Sequence, residues 1–151
     1  MIVNGLRLPD SFVQAAESGL LRRGTTAWPL RSARDAFGQE LETELHEVYD
    51  MPAEIARRTA ELPTGFEPNG VYGESLPEMA GPGAIPDVVD FRGVLCFGAS
   101  FDDAPFCFDY RGGAEPSVIW WAGVYWRVVA PDFASFLSLF DVPEACPDGR
   151  A

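Results

Sequence analysis

The residue types that carry most enzyme chemistry are thinly spread in this chain. Its one histidine, His46, is followed by Glu47 and begins a string like HExxH, the helix motif that holds zinc in many proteases. Asp50 stands where the second imidazole is needed, so the motif is broken. A Ser-His-Asp or Cys-His site would need the same histidine, which sits among acids and not beside a nucleophile. Gly81-Pro82-Gly83 is a phosphate loop only in outline, because Pro82 and Pro86 break the turn into a helix that phosphate binding requires. Asp102 and Asp103, with Asp109 several residues on, suit a hard divalent cation or an acid–base pair. The plainer reading of Asp102-Asp103-Ala104-Pro105 is a turn between two strands, and no further ligands converge in sequence. Asp109 and Arg111 fall on one strand face and can simply pair. No catalytic residue, metal site or cofactor is expected.

Other side chains are better suited to binding or packing. Trp120, Trp121 and Trp126 have the makings of a stacking platform, but core packing is the better reading for at least two of the three. Trp120 and Trp121 are adjacent, so in a strand they face opposite sides. Cys96, Cys107 and Cys146 are odd in number and lack motif spacing, which points to reduced thiols in a cytoplasm. Two of them lie in strand patterns, where a free cysteine acts as a small buried hydrophobe.

The elements that must position these residues concentrate in residues 94–140. Four runs have β character: 94–97, 106–110, 118–121 and 125–129. Each is rich in β-branched or aromatic residues and bounded by Gly, Pro or Asp. Phe106, Phe108 and Tyr110 point one way; Cys107, Asp109 and Arg111 point the other, towards a face that can be wet. Gly112-Gly113-Ala114-Glu115-Pro116 and Ala122-Gly123 supply short connections, so the strands should form an antiparallel meander. A helix follows, with Pro131 in a first helical position and Asp132 at the positive end of its dipole. Phe133, Phe136, Leu137 and Phe140 make its apolar stripe, which should lie on the aromatic face of the sheet.

Upstream, Leu8-Pro9-Asp10-Ser11-Phe12 opens a first helix with Phe12, Ala16 and Leu20 inward, and Gly19 and Gly24 mark its end. Trp28-Pro29-Leu30 is a loop or a short strand. Residues 39–49 read as a second helix striped by Leu41, Leu45 and Val48. Residues 52–62 read as a third, or the two form one kinked helix. Arg57 and Glu61 can pair across one turn. Residues 63–86 are dense in Gly and Pro, with a short strand expected at 70–72, and form a packed cover or a functional loop. Residues 141–151 are a tail.

The chain has 151 residues, enough for one domain, expected over 1–151, with a core that needs no staples. No run is long and apolar enough to span a membrane, and Met1-Ile-Val-Asn-Gly-Leu-Arg has the pattern of no signal peptide. With 11 basic and 23 acidic residues the net charge is −12, and every basic residue is Arg. Such a field disfavours nucleic acid and anionic membranes and favours a basic partner, or serves only solubility.

The order of motifs from Phe97 onward resembles the SUKH superfamily of fungal cell-wall-synthesis regulators and bacterial immunity proteins. The motifs are Phe97-Gly98, then Asp102-Asp103-Ala104-Pro105, Phe106-Cys107-Phe108-Asp109-Tyr110-Arg111, Pro116-Ser117-Val118-Ile119-Trp120-Trp121 and Trp126-Arg127. Val129-Ala130-Pro131-Asp132-Phe133-Ala134-Ser135-Phe136-Leu137 is similar to the family's C-terminal helix entry, and Leu8-Pro9-Asp10-Ser11-Phe12 to its N-terminal helix start. The resemblance implies an α+β fold: an antiparallel-dominated sheet of four to six strands with N-terminal and C-terminal helices packed on it. It also implies a non-enzymatic binding protein, in bacteria one that neutralises a cognate toxin, often a nuclease with a basic surface. Candidate contacts are Asp102, Asp103, Asp109, Arg111, Trp120 and Trp121. The alternatives are a general adaptor of the cell-wall-regulator type and, last, a metal-assisted hydrolase using Asp102, Asp103 or Asp109.

Overall fold

A computed structural model describes residues 1–21, 28–65, 91–122 and 126–141. In chain order the elements are β1 (Ile2–Val3), β2 (Leu6–Arg7), α1 (Asp10–Glu17), β3 (Trp28–Pro29), β4 (Glu44–Leu45), β5 (Glu47–Val48), α2 (Pro52–Gly65), β6 (Val94–Ala99), β7 (Pro105–Asp109), β8 (Ser117–Trp121), β9 (Trp126–Ala130) and α3 (Phe133–Ser138). The expected strand at 70–72, most of the 63–86 excursion, the glycine-rich Gly81-Pro82-Gly83, Gly24, Gly123, Cys146 and nearly all of the tail lie outside the described residues.

The four runs of β character become β6 to β9, and with β5 they form one five-stranded antiparallel sheet in chain order. Alternation decides what each face carries. Phe97 stacks on Phe108 with ring centroids 4.2 Å apart. Phe12 of α1 meets Phe97, Phe108 and Phe133 edge-on at 5.9, 5.4 and 5.2 Å. Phe136 of α3 meets Phe97 and Phe106 at 5.5 and 5.1 Å. Both terminal helices therefore cover the same aromatic face, and edge-to-face geometry suits the ring quadrupoles. The fold is α+β with an antiparallel sheet, as the sequence predicts.

The second face differs from expectation. Cys107 and Ile119 are fully buried and Asp109 nearly so, so this face is covered and not wet. Helix α2 runs beside β6 and is tied to it through Thr59. The β6–β7 register slips by one residue between Cys96 and Gly98. At that bulge the Cys96 N–H donates to Thr59 Oγ1 at 2.9 Å, and the Thr59 hydroxyl donates to the Ile55 carbonyl at 2.7 Å. A side chain on α2 thus takes up a backbone donor of β6 that faces away from β7, beyond the reach of the two-residue β5. Gly98 is required there, since a Cβ at that position would lie 2.6 Å from the Glu47 carbonyl oxygen.

Residues 39–49 are not a helix. They form β4 and β5, and β4 pairs with β3, so Trp28-Pro29 is a short strand. The inward residues are Leu41, Leu45 and Tyr49, four apart. Steps of four satisfy the helical period and are also even, so they satisfy a period of two. Pairing of Glu47 and Val48 with Ala99 and Gly98 settled the choice in favour of strand. Helix α3 also starts later than expected: Asp132 is its N-cap, accepting from the Ser135 N–H at 2.7 Å, and Pro131 precedes it. A carboxylate cap satisfies an orphan N–H that a proline start would leave unpaired. Leu137 is only half-buried, while Phe133, Phe136 and Phe140 are fully buried. The first helix ends as read, at Gly19 with φ +82°. Arg57 and Glu61 pair at 3.0 Å.

Candidate functional site

The sequence candidates divide between the two ends of β7 and the far side of the sheet. At one end the chain turns tightly between β6 and β7. The Ser100 N–H donates to the Ala104 carbonyl at 2.9 Å, and the Asp103 N–H donates to the Ser100 carbonyl at 3.0 Å. The Ser100 hydroxyl donates to Asp102 Oδ1 at 2.6 Å. Asp103 has φ +66°, a left-handed conformation that aspartate tolerates better than most residues. The run Asp102-Asp103-Ala104-Pro105 is a turn, and both carboxylates are exposed on it.

Asp109 sits at the other end of β7, roughly 17 Å of strand away. It is buried and bound to its neighbour two residues on. Arg111 Nε and Nη2 donate to Asp109 Oδ1 and Oδ2, each at 2.9 Å, and the Arg111 N–H donates to Oδ1 at 3.0 Å. This forked pair occupies the carboxylate in the geometry that suits guanidinium best. Asp102, Asp103 and Asp109 therefore do not converge. Among the described residues no group of three or more His, Cys, Asp or Glu side chains is placed to hold a metal ion.

The tryptophans also part company. Trp120 is buried and packs parallel to Phe106 at 5.9 Å, on the aromatic face. Trp121 is half-buried on the other face, edge-on to the buried Trp126 at 5.3 Å, and Phe91 also meets Trp126 edge-on at 5.9 Å. Two of the three are core and no shared platform forms.

Buried polar groups confirm a structural interior. Burial pushes the Cys107 thiol well up, helped by Cys96 across the strand pair and by Asp109. It therefore remains protonated and packs as a small apolar side chain. Burial likewise raises Tyr49, with Cys96 and the Glu47 carboxylate it donates to adding to the effect. Tyr110 is raised by burial and by Glu115, and its hydroxyl donates to the Arg7 carbonyl at 2.7 Å.

Several residues with distinctive surroundings carry no motif. Phe101, at the hairpin tip, is 71% exposed. Its N–H donates to the Glu44 carboxylate, and its ring meets that of His46 edge-on at 5.1 Å. Its signal in the sequence is an aromatic residue between a strand and an Asp-Asp turn, where strand alternation no longer assigns it a face. Asp35 and Arg127, 92 residues apart, form a buried ion pair at 2.5 Å. No local pattern could have joined them.

No helix among the described residues is long and apolar enough to cross a membrane. No curated protein and no solved structure matches the chain significantly. The SMI1 / KNR4 family (SUKH-1) matches it over residues 4–139, a span that takes in both terminal helices, the whole five-stranded sheet and the hairpin tip. The chain belongs to the SMI1/KNR4 family, SUKH-1, and so to the SUKH superfamily.

Proposed function

We propose that the chain is a non-enzymatic, cytoplasmic protein-binding domain, and specifically an immunity protein that occludes the basic surface of a cognate bacterial toxin. Membership of the SUKH-1 family is the observation that carries this reading. The charge agrees with it: a net −12 steers a basic protein towards the chain and repels nucleic acid and anionic membranes. The local chemistry agrees as well. Asp109 is held by Arg111, Cys107 is a protonated core thiol, and Asp102 and Asp103 stand exposed on a fixed turn where they can meet cations.

Co-expression with the product of the gene adjacent to this chain's own, scored as cell survival, tests the reading. Rescue by the wild-type chain is expected. Rescue should weaken when Asp102 and Asp103 are both changed to Asn, a substitution that keeps the turn because Asn also accepts the left-handed backbone. Failure to rescue, with stable association with several host proteins instead, assigns the chain to the adaptor class of the same superfamily.

A further inference from the structure

The tip of the β6–β7 hairpin offers an aromatic ring where turns ordinarily offer polar groups. Phe101 is the most exposed large apolar side chain among the described residues, ahead of Ile2 at 67% and Met51 at 61%. Isolated exposed apolar side chains are common on protein surfaces. Two features set Phe101 apart. Its backbone is fixed from both sides, by the Ser100–Ala104 and Asp103–Ser100 hydrogen bonds within the turn and by the Glu44 carboxylate that accepts its N–H from β4. Its turn is acidic: Glu44 accepts the Phe101 N–H, and the exposed Asp102 and Asp103 follow it in the chain, while the ring itself meets only the edge of His46 among the described aromatic contacts.

We infer that Phe101 is the anchor by which this tip docks a protein partner whose surface has an apolar pocket rimmed by Lys or Arg side chains. The inference rests on the binding function proposed above and names the surface that performs it. An aromatic side chain entering a pocket, encircled by polar contacts that shut out water, is the arrangement in which single residues dominate an interface. The fixed backbone means little freedom is lost on docking. The acidic turn makes a basic rim the complementary one, in keeping with the sign of the whole chain. It also disfavours a second copy of this chain, since the two acidic turns would repel.

The test measures binding of the adjacent gene's product, carrying an inactivating substitution where it proves toxic, to the wild-type chain and three variants. Phe101→Ala should weaken the Kd by about 30-fold or more, mainly through faster dissociation. Asp102→Asn with Asp103→Asn should slow association and flatten its salt dependence. Met51→Ala, another exposed apolar truncation just before α2, should leave the Kd within about twofold. Because Phe101 is exposed, its variant should melt with the wild type. A wild-type chain that binds while Phe101→Ala binds equally well overturns the inference and leaves the immunity reading standing. A wild-type chain that does not bind overturns both. A dimer of the chain in sedimentation that Phe101→Ala dissolves gives the ring to a second copy, and also overturns the inference.

Discussion

The meander β6–β9 and the segment 28–51 that wraps its margins are held by different kinds of force. The meander is a stack of rings. Phe97, Phe106 and Phe108 are fully buried, and Phe12, Phe133 and Phe136 close over them from the two helices. The wrapping segment has three two-residue strands, sends Leu41, Leu45 and Tyr49 into the core, and is fastened further by polar contacts over long sequence distances. The Arg31 N–H donates to the Leu139 carbonyl and its Nε to the Phe140 carbonyl, each at 2.9 Å. The Ala36 N–H donates to the Val129 carbonyl at 2.9 Å, which caps part of the outer edge of β9. Asp35 accepts from the Phe37 and Gln39 N–H groups with one oxygen and from Arg127 with the other. One region is specified by pattern and volume, the other by a few core side chains together with directional bonds. They should therefore fail differently when altered.

The largest loss is expected in the meander. Phe108→Ala removes a fully buried ring that touches Phe12, Phe97 and Phe133, and should cost about 3–5 kcal/mol in urea unfolding with the slope unchanged. Asp35→Ala tests the other region. It strands Arg127, whose side chain is only 14% exposed, and frees two backbone donors. About 3 kcal/mol is expected, the lower end for a broken buried pair. Replacing both partners with apolar side chains, Asp35→Leu with Arg127→Met, should recover much of that loss, because no charge is then left unpaired. No recovery would mean that Asp35 acts chiefly through its own loop, and the contrast between the regions would narrow. Gly98→Ala probes the seam between them. Its Cβ meets the Glu47 carbonyl on β5, so β5 must move away from β6, at about 1–3 kcal/mol. The tip should also loosen, since His46 bonds to Ala99 through its own backbone N–H.

The same contrast explains what the sequence discloses. The strands of the meander and the stripe of α3 are legible because their periods differ: two for Phe106 and Phe108, nearly four for Phe133, Phe136 and Phe140. Residues 39–49 are ambiguous because Leu41, Leu45 and Tyr49 satisfy both periods, and the deciding partners, Gly98 and Ala99, lie about fifty residues downstream. The turn at Asp102 and Asp103 is visible from residue type alone, and the Asp109–Arg111 pair from spacing of two. Phe101 is not visible as an anchor, because its exposure depends on a turn that the chain leaves before the next strand begins. Asp35–Arg127 is the extreme case: its two members sit in unrelated local patterns, and only the folded chain joins them.

The smallest effect separates that buried pair from the ion pairs on the surface of α2. Glu54 accepts from Arg57 Nη2 at 2.6 Å and Nε at 3.1 Å, and from Arg58 Nε at 3.1 Å. The hydrogen bonds from Arg57, then those from Arg58, hold its carboxyl below the ordinary value of 4.5. A carboxylate whose pKa is lower in the folded state adds stability that is present in full above 4.5 and is lost as pH falls through the folded-state value. The pair lies at the surface, with the Glu54 side chain 32% and that of Arg57 55% exposed, so solvent screens the interaction and the gain at neutral pH should be slight. An NMR titration should place the Glu54 midpoint below that of an unfolded-peptide glutamate. Arg57→Ala should move the midpoint upward, as should added salt. The urea midpoint of Arg57→Ala at neutral pH should stay close to wild type, whereas that of Asp35→Ala falls. If Arg57→Ala lowers it as far as Asp35→Ala does, then exposed and buried pairs count equally in this chain, and the wrapping segment owes nothing special to the burial of its ion pair.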